Sequence, residues 1–342
     1  MKKVKRFLSF FMALLLLITP ISFVAEDTPQ TPKINFTVLG DSIASGYGLK
    51  NTLDCYASLI SEDKSYYLSN DAVPGHTTEN LLWVICNREI AKNDIKKADL
   101  ISISICGNDV IHFIQKADST TLLDIMFNGV NAVAVKEAVE KISFNLEGIC
   151  KEIRDLNADA PIIFQTQYNP LYANEQYSAY APFAEQLVPV VSEVFDNLCK
   201  DFKNVYIADV YSAFDNYYKD TGRYDIIQSD GIHPSEKGHA LIAEVVLEKI
   251  AELEKAGLVP IAAKYYYLLG DADSNQKITI SDATTIQKII AELLVFEGDI
   301  AKLSLDADQN GDINIKDATI IQKHLADLES NPNIGTYIPY YE

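Results

Sequence analysis

The 342-residue sequence has little cysteine, few basic residues and few long apolar runs. Its five cysteines are an odd number spread along the chain, so they form neither a disulfide framework nor a zinc-binding pattern, although one or two bridges remain open. Lysine and arginine number 29 against 48 acidic residues, which gives a net charge of −19 at pH 7. Apart from the four basic residues near the beginning, no cluster of lysine and arginine interrupts this acidity, which argues against nucleic acid and anionic membranes as partners.

A long apolar run is present only near the beginning, from Leu8 to Ile18, and it is too short to span a bilayer. Four basic residues precede it, and a small-residue stretch ending at Ala25 follows it. This order predicts a secretory signal peptide over residues 1–25, with a membrane anchor as the alternative. Cleavage there would remove four positive charges, change the net charge from −19 to about −23, and release the protein outside the cell.

Between about residues 33 and 256, short apolar runs alternate with helical patterns. The predicted strands are residues 34–39, 66–69, 100–105, 161–166 and 204–208. The predicted helices are residues 78–92, 131–156, 179–201 and 235–256. Continuous apolar strands separated by helices indicate a parallel sheet that is covered on both faces. We therefore expect a three-layer α/β/α domain over residues 33–256, with its functional site at the carboxyl ends of the strands.

The C-terminal part has a different pattern, a 23-residue sequence that occurs twice with a period of 35 residues. Residues 271–293 and 306–328 align without a gap, and 14 of the 23 positions are identical. A solenoid needs about three or more repeats, so two copies predict a single paired module. The expected organisation is a linker at 257–269, the paired module at 270–330 and a C-terminal tail at 331–342.

Ser42 is a candidate nucleophile, because it follows the first predicted strand and begins a polar, turn-like stretch. A serine nucleophile needs a base within hydrogen-bond reach and a third group that orients the base. His233 is the candidate base, since Asp230 lies three residues before it, ahead of a helix predicted to begin near Pro234. On one turn the Asp230 carboxylate can accept Nδ1–H of His233 and leave Nε2 facing outward. A simple turn aspartate is the alternative for Asp230.

Two further residues offer the preorganised donors that a developing oxyanion needs. Gly75 follows the second predicted strand, and its missing side chain lets its backbone N–H approach a substrate closely. Asn108 follows the third strand, and its side-chain amide can donate a hydrogen bond without carrying charge. A loop glycine and a turn asparagine are the alternative interpretations.

Together these stretches resemble the SGNH-hydrolase (GDSL esterase/lipase) family, in the same order along the chain. The matching stretches are Gly40 to Ile43, Gly75, Gly107 to Asp109, and Asp230 to His233. The sequence departs from the family at Cys106, where many members have glycine, and at Ile43, which replaces the commoner leucine. Neither change removes a catalytic group.

The resemblance implies a flavodoxin-like fold in which Ser42 is the nucleophile, His233 the general base and Asp230 the partner of that base. It also implies an oxyanion hole formed by the N–H groups of Ser42 and Gly75 and by the side chain of Asn108. No cofactor is expected for catalysis.

The repeats carry oxygen-bearing residues at loop positions 1, 3, 5, 9 and 12, and position 7 would offer its carbonyl oxygen. In the first repeat these residues are Asp271, Asp273, Asn275, Lys277, Thr279 and Asp282. In the second they are Asp306, Asp308, Asn310, Asp312, Asn314 and Asp317. This spacing is typical of an EF-hand-type calcium loop, and an acidic exposed turn does not easily explain the same spacing twice.

The loops depart from an ordinary EF-hand, because position 12 is aspartate and no amphipathic helix precedes the first loop. These features and the tandem helices that follow the loops resemble a type I dockerin, a small all-α module that docks secreted enzymes onto cohesin modules of cellulosome scaffolds. The resemblance implies two structural calcium ions. It also implies a cohesin-facing surface formed by Ile280, Ser281, Ile315 and Lys316. Gln276 occupies loop position 6 in the first repeat, where glycine eases the turn and where the second repeat has Gly311.

The sequence therefore predicts a secreted serine esterase joined to a calcium-dependent docking module. A dockerin implies an assembly that degrades plant cell walls, so acetyl esters on hemicellulose or pectin are the favoured substrates. A lipase, lysophospholipase or thioesterase on the same scaffold is the enzymatic alternative. A non-catalytic binding or structural component of the cellulosome is the alternative from a different class, and the intact Ser42, Asp230 and His233 speak against it.

Overall fold

The structure is a computed structural model that describes residues 34–173, 178–261, 265–295 and 299–340. The predicted signal peptide and its cleavage site lie outside the described residues. Within the described ranges, no helix combines the length and the apolar composition that crossing a membrane requires.

Five parallel strands form the sheet of the first region, in the order β2-β1-β3-β4-β5. The strands are β1 (Asn35–Gly40), β2 (Tyr67–Asn70), β3 (Leu100–Ser104), β4 (Ile162–Gln165) and β5 (Val205–Ala208). Each lies within one residue of its predicted position. The order reverses direction between β1 and β3, and in open parallel sheets such a switch point opens a crevice at the carboxyl ends of the strands.

In the described part of this region ten α-helices surround the sheet, and those of the two apolar cores cover its two faces, which confirms the predicted three-layer α/β architecture. They are α1 (Ser42–Ser45), α2 (Tyr56–Lys64), α3 (Thr78–Asn87), α4 (Glu89–Lys97), α5 (Gly107–Lys116), α6 (Ser119–Asn128), α7 (Val133–Leu156), α8 (Ala181–Asp201), α9 (Val210–Thr221) and α10 (Glu236–Lys255). One apolar core packs α3, α4, α7 and α8 against the sheet. The opposite core packs α2, α9 and α10 against it.

Several helix boundaries differ from the predicted ones. The helix predicted at 78–92 is two helices, because Arg88 takes an extended backbone (φ −102°, ψ 114°) between α3 and α4. The helix predicted to begin near Pro234 begins at Glu236, because the side chain of Ser235 accepts the Gly238 N–H and caps it there. Pro234 instead forms an isolated bridge with Ile227.

Gly40 explains why β1 can end against β3. Its φ is +136°, and a Cβ atom at this position would lie 1.9 Å from the carbonyl oxygen of Ser104. The next residue, Asp41, donates its backbone N–H to the same carbonyl at 3.0 Å. Only glycine fits this close approach, and it places the residues after β1 beside the end of β3.

Among its described residues the second region has three helices, α11 (Ile280–Ile290), α12 (Asp299–Leu305) and α13 (Ile315–Leu325). Beyond the predicted helices, the structure adds two antiparallel strands, β6 (Tyr265–Leu268) and β7 (Tyr337–Tyr340), which join the two ends of the module. Its core is small and includes Ala283, Ile286, Ala318 and Ile321 from the paired helices. The tyrosine-rich segments pair as strands because each supplies alternating apolar residues to this core.

All five cysteines are free, so the one or two bridges that the sequence left open are not formed. They are Cys55, Cys86, Cys106, Cys150 and Cys199.

Candidate active site and calcium loops

Ser42 lies at the carboxyl end of β1 and is the first residue of α1. The sequence predicted a loop-like turn here, but residues 42–45 form a short helix because Asp41 caps it, accepting the Ile43 N–H at 3.0 Å. Ser42 is 9% exposed, so its hydroxyl meets little bulk water. The cap holds the serine at the fixed start of a helix.

His233 approaches Ser42 from the loop before α10. Its Nε2 lies 2.9 Å from Oγ of Ser42, and its Nδ1 lies 2.5 Å from Oδ2 of Asp230. The two nitrogens therefore contact the hydroxyl and the carboxylate in one continuous hydrogen-bonded chain. The structure brings the three residues together as the sequence predicted, in the arrangement of nucleophile, base and orienting acid.

Asp230 is held by its own turn as well as by the imidazole. Its Oδ1 accepts the backbone N–H groups of Ile232 at 2.9 Å and of His233 at 3.0 Å. Partial burial raises the pKa of Asp230, but the hydrogen bonds from the His233 ring and from these two N–H groups outweigh it and leave the pKa below its ordinary value. Asp230 is therefore a carboxylate that stays ionised and fixes the orientation of the imidazole.

Gln228 connects the loop of the serine to the loop of the histidine, and sequence patterns did not single it out. Its Nε2 donates to the carbonyl of Tyr47 at 2.9 Å and to the carbonyl of Pro234 at 2.8 Å. Its backbone N–H donates to the carbonyl of His233 at 2.8 Å. Gly48 leaves room for this side chain, because a Cβ atom there would lie 2.3 Å from the Gln228 oxygen.

Two tyrosines also contact the histidine loop. Tyr168 donates its hydroxyl to the carbonyl of Ile232 at 2.7 Å. The ring of Tyr47 lies against the imidazole of His233, with centroids 4.9 Å apart. These contacts restrict the motion of the imidazole, and they join residues far apart in the chain, so no local motif could have revealed them.

The three predicted oxyanion donors follow neighbouring strands, since β2, β1 and β3 are adjacent in the sheet. Gly75 is exposed and has a φ of +82°, and a side chain placed there would meet open space. Asn108 lies in the first turn of α5 and donates one amide hydrogen to the carbonyl of His76 at 3.0 Å. An asparagine amide has two hydrogens, so this bond orients the group and leaves the second hydrogen to donate elsewhere.

Cys106, the departure from the family pattern, precedes α5 in a left-handed backbone conformation with φ 97°. This conformation favours glycine, which explains the glycine of other members, and a side chain here costs about 1 kcal/mol or more. Cys106 is fully buried, and burial raises the pKa of its thiol. The thiol is therefore protonated and lies beside the helix that carries Asn108.

The two predicted metal loops bring their carboxylates together. Asp271, Asp273 and Asp282 can direct one oxygen each to within 4.8 Å of one another, and Asp306, Asp308 and Asp317 do the same. In each loop the first and last aspartates are buried, at 6% and 0% exposure. Burial and the neighbouring carboxylates raise the pKa of Asp271, against hydrogen bonds from the loop backbone. A hard divalent cation fits such oxygens, because its positive charge offsets both the cost of burying the carboxylates and the repulsion between them.

The other predicted ligands have structural contacts in the same loops. Asn275 and Asn310 accept the N–H two residues ahead, at 2.9 and 2.8 Å, which shapes the loop. Thr279 and Asn314 are the N-caps of α11 and α13, and each forms a capping box with the aspartate at position 12. Lys277 and Asp312 occupy loop position 7, where only the backbone carbonyl oxygen was predicted to bind metal.

Loop position 6 is left-handed in both repeats, with φ 65° at Gln276 and φ 94° at Gly311. The first loop therefore holds a glutamine in a conformation that glycine adopts more easily. The predicted cohesin-facing residues all lie exposed at the starts of α11 and α13. They are Ile280 at 62% exposure, Ser281, Ile315 at 57% exposure and Lys316.

The comparisons with known proteins agree with this geometry. The model of the GDSL-like lipase/acylhydrolase family matches residues 38–241, more than half of the chain, so the chain belongs to this family of ester hydrolases. The model of the type I dockerin domain matches residues 269–326, so the protein also carries a dockerin, the class of module that binds calcium and pairs with cohesins.

Two curated relatives align with most of their own length. The Bacillus subtilis (strain 168) protein YpmR is 26% identical over 271 residues, which cover 74% of this chain and 98% of YpmR. The spore germination lipase LipC of Bacillus licheniformis is 24% identical over 218 residues, which cover 62% of this chain and 93% of LipC.

Among solved structures, the lipase Lip_vut3 from a goat rumen metagenome is 21% identical with a TM-score of 0.50, covering 63% of this chain and 97% of that one. An extracellular lipase of Streptomyces rimosus is 17% identical with a TM-score of 0.50, covering 63% and 99%. These likenesses confirm the fold of the sheet domain.

Proposed function

We propose that the protein is a serine esterase in which Ser42, His233 and Asp230 act as nucleophile, general base and orienting acid. The observation that carries this proposal is the hydrogen-bonded chain from Ser42 through His233 to Asp230, at 2.9 and 2.5 Å. His233 Nε2 takes the proton of Ser42 as Oγ attacks the ester carbonyl, and then gives it to the leaving alcohol. Water activated by the same nitrogen hydrolyses the resulting acyl-enzyme.

The negative charge on the carbonyl oxygen develops beside the N–H groups of Ser42 and Gly75 and the amide of Asn108. The bond from Asn108 to His76 fixes the amide before the substrate arrives, so little reorganisation accompanies the reaction. Attack, proton transfer and charge stabilisation are all supplied by side chains and backbone, and the proposed mechanism uses no cofactor.

The dockerin supports the proposal that this activity belongs to a multi-protein assembly. We propose that each loop binds one structural calcium ion, and that the exposed residues at the starts of α11 and α13 contact the cohesin. These are Ile280, Ser281, Ile315 and Lys316. Secretion through a signal peptide at residues 1–25 and an ester of hemicellulose or pectin as substrate complete this proposal, with acetyl esters as the prediction from sequence.

An acyl hydrolase of the lipase or thioesterase type is the second candidate, because a mostly apolar cavity of about 210 Å³ adjoins the catalytic segments. A panel of acetylated xylan, acetylated pectin, triacylglycerol, lysophospholipid and acyl thioester separates the candidates. Released acetate would support the first, and released longer acids the second. No product from any ester would favour the non-catalytic alternative.

The triad itself is tested by kinetics on a small soluble ester. Ser42→Ala should lower kcat by on the order of 10⁴-fold or more, and His233→Ala should cost more than Asp230→Asn. Ser45→Ala is the matched control on the same helix. It removes one neutral hydrogen bond to the Ser42 carbonyl, worth about 1 kcal/mol, and should change kcat by less than about tenfold. If Ser42→Ala kept more than about a tenth of the activity, the assignment would be wrong.

Cohesin binding is tested separately, with the intact protein in calcium. Because the two repeats present equivalent residues, Ile280→Asp and Ile315→Asp should be combined, and together they should weaken cohesin capture while ester hydrolysis persists. Unchanged capture by the double variant would place the cohesin surface elsewhere.

A further inference from the structure

A cavity of about 210 Å³ lies between α5, the segment that follows β4, and α8. Its wall includes Ile43, the residue after Ser42, and Ile232, the residue before His233. It also includes Cys106 and Gly107, which lead to Asn108. The segments of Ser42, Asn108 and His233 therefore each supply a neighbouring residue to this cavity, and the segment of Gly75 does not.

The side chains around the cavity are mostly aliphatic. They come from one face of α5 and one face of α8, namely Val110, Ile111, Ile114, Leu187, Val188 and Val191. The helix α5 is amphipathic, yet none of its residues is fully buried. Protein interiors are normally close-packed, so an apolar helix face that borders empty space indicates a place for an apolar guest.

Three of the polar side chains in the wall are engaged elsewhere. Gln167 donates to the carbonyl of Ile105 at 2.7 Å, and Asn169 donates to the carbonyl of Ala181 at 3.0 Å. The hydroxyl of Tyr168 donates to the carbonyl of Ile232 at 2.7 Å. Gln115 and Tyr180 also line the cavity, so its polar groups are few and most of its wall would not compensate a sugar or a hydroxylated acid for lost water.

We propose that this cavity is the acyl site and that it selects an aliphatic acyl chain of medium length rather than acetyl, which favours the lipase or thioesterase type of the second candidate function over acetylated polysaccharides. The inference rests on the proposed role of Ser42 as nucleophile, because the acyl carbon must sit at its Oγ. The methyl group of an acetyl ester would leave most of the cavity unfilled and would not contact the apolar side chains of α5 and α8. Compared with a cavity of about 150 Å³ that holds the six carbons of benzene, the present volume corresponds to about eight carbons.

The experiment measures kcat/KM of the full-length protein on vinyl esters from acetate to dodecanoate. Each methylene that enters an apolar site contributes up to about fourfold, so we expect a rise of at least about a hundredfold from acetate to octanoate. Beyond about eight to ten carbons the cavity is full, and kcat/KM should level off or fall.

Two variants connect this preference to the cavity. Ala184→Phe places a ring in the space and should lower the octanoate-to-acetate ratio of kcat/KM by at least about tenfold. Ile114→Ala enlarges the space and should move the optimum to longer chains. Glu193→Phe is the control, because it adds the same ring to α8 at an exposed position outside the cavity, and it should leave the ratio as in the wild type.

The outcomes separate the two levels of the proposal. A protein that hydrolyses acetate best, with activity falling as the chain lengthens, would overturn the acyl-site assignment and leave the esterase intact. A chain preference that neither cavity variant changes would overturn it as well. Failure to hydrolyse every ester, with wild-type folding, would contradict the proposed function itself.

Discussion

Asp41, the buried neighbour of the nucleophile, should make the protein less stable as the pH rises. It is 2% exposed, and its Oδ1 accepts the Ile43 N–H at 3.0 Å. Burial and, to a smaller extent, the nearby carboxylate of Asp109 raise its pKa to about 7, against the lowering effect of the hydrogen bond from Ile43. Asp41→Asn keeps an oxygen that can cap α1 and removes the charge.

The sign follows from the two pKa values of this carboxyl, about 7 in the folded protein and 3.8 in the unfolded chain. Between these values the unfolded chain releases the proton while the folded protein retains it, so the free energy of unfolding falls as the pH rises. The loss begins above the unfolded pKa and is complete above pH 7. A difference of about three pH units corresponds to at most about 4 kcal/mol.

Thermal unfolding of the full chain in saturating calcium measures this effect at pH 5 and at pH 8. The Tm of Asp41→Asn relative to wild type should be several degrees higher at pH 8 than at pH 5, at about 2–4 °C per kcal/mol for a region of this size. Asp209→Asn is the control, since Asp209 is an exposed aspartate that caps α9. A relative Tm of Asp41→Asn that does not rise with pH would refute the reasoning.

Four further predictions concern the site and the module. Asn108→Ala should lower kcat by roughly 10²–10³-fold with little change in KM, and a pure KM effect would place Asn108 in substrate binding. Gln228→Leu removes two hydrogen bonds between the catalytic loops and should lower kcat by about 5- to 100-fold, whereas the exposed Gln186→Leu should not. A chelator should abolish cohesin binding and leave ester turnover, and loss of both would contradict independent modules. Gln276→Gly should tighten the first calcium site, measured by calcium titration, because glycine relieves its left-handed backbone.

The elements that the sequence predicted best are those in which local pattern and tertiary packing agree. The strand β3 is buried along its whole length and contains only leucine, isoleucine and the small residue serine, and its predicted position is correct within a residue. No bounds were predicted for the helix α5, which begins at a polar stretch and has part of its apolar face against a cavity. The sequence of α3 and α4 has the pattern of one continuous helix, because no proline or glycine marks the break at Arg88.

The same distinction applies to the site. Asp230 and His233 are three residues apart, so one turn of backbone fixes their contact, and the sequence shows it. The Gln228 contact with Tyr47 joins residues 181 positions apart. It depends on how two loops meet above the sheet, which no local spacing encodes. The cavity is equally non-local, since five separate segments of the chain line it.

Both functional regions use an aspartate to close a loop onto the start of a helix. In the hydrolase, Asp230 accepts the N–H groups of its own turn and holds His233 just before α10. In the dockerin, Asp282 accepts the N–H groups of Ala272 and Thr279, and Asp317 accepts that of Asn314. Each carboxylate is thereby fixed by backbone before it meets its proposed functional partner, an imidazole in one case and a cation in the other. Because these bonds join residues close together in the chain, both loops can be recognised from the sequence. The alignment of His233 with Ser42 depends on the rest of the fold.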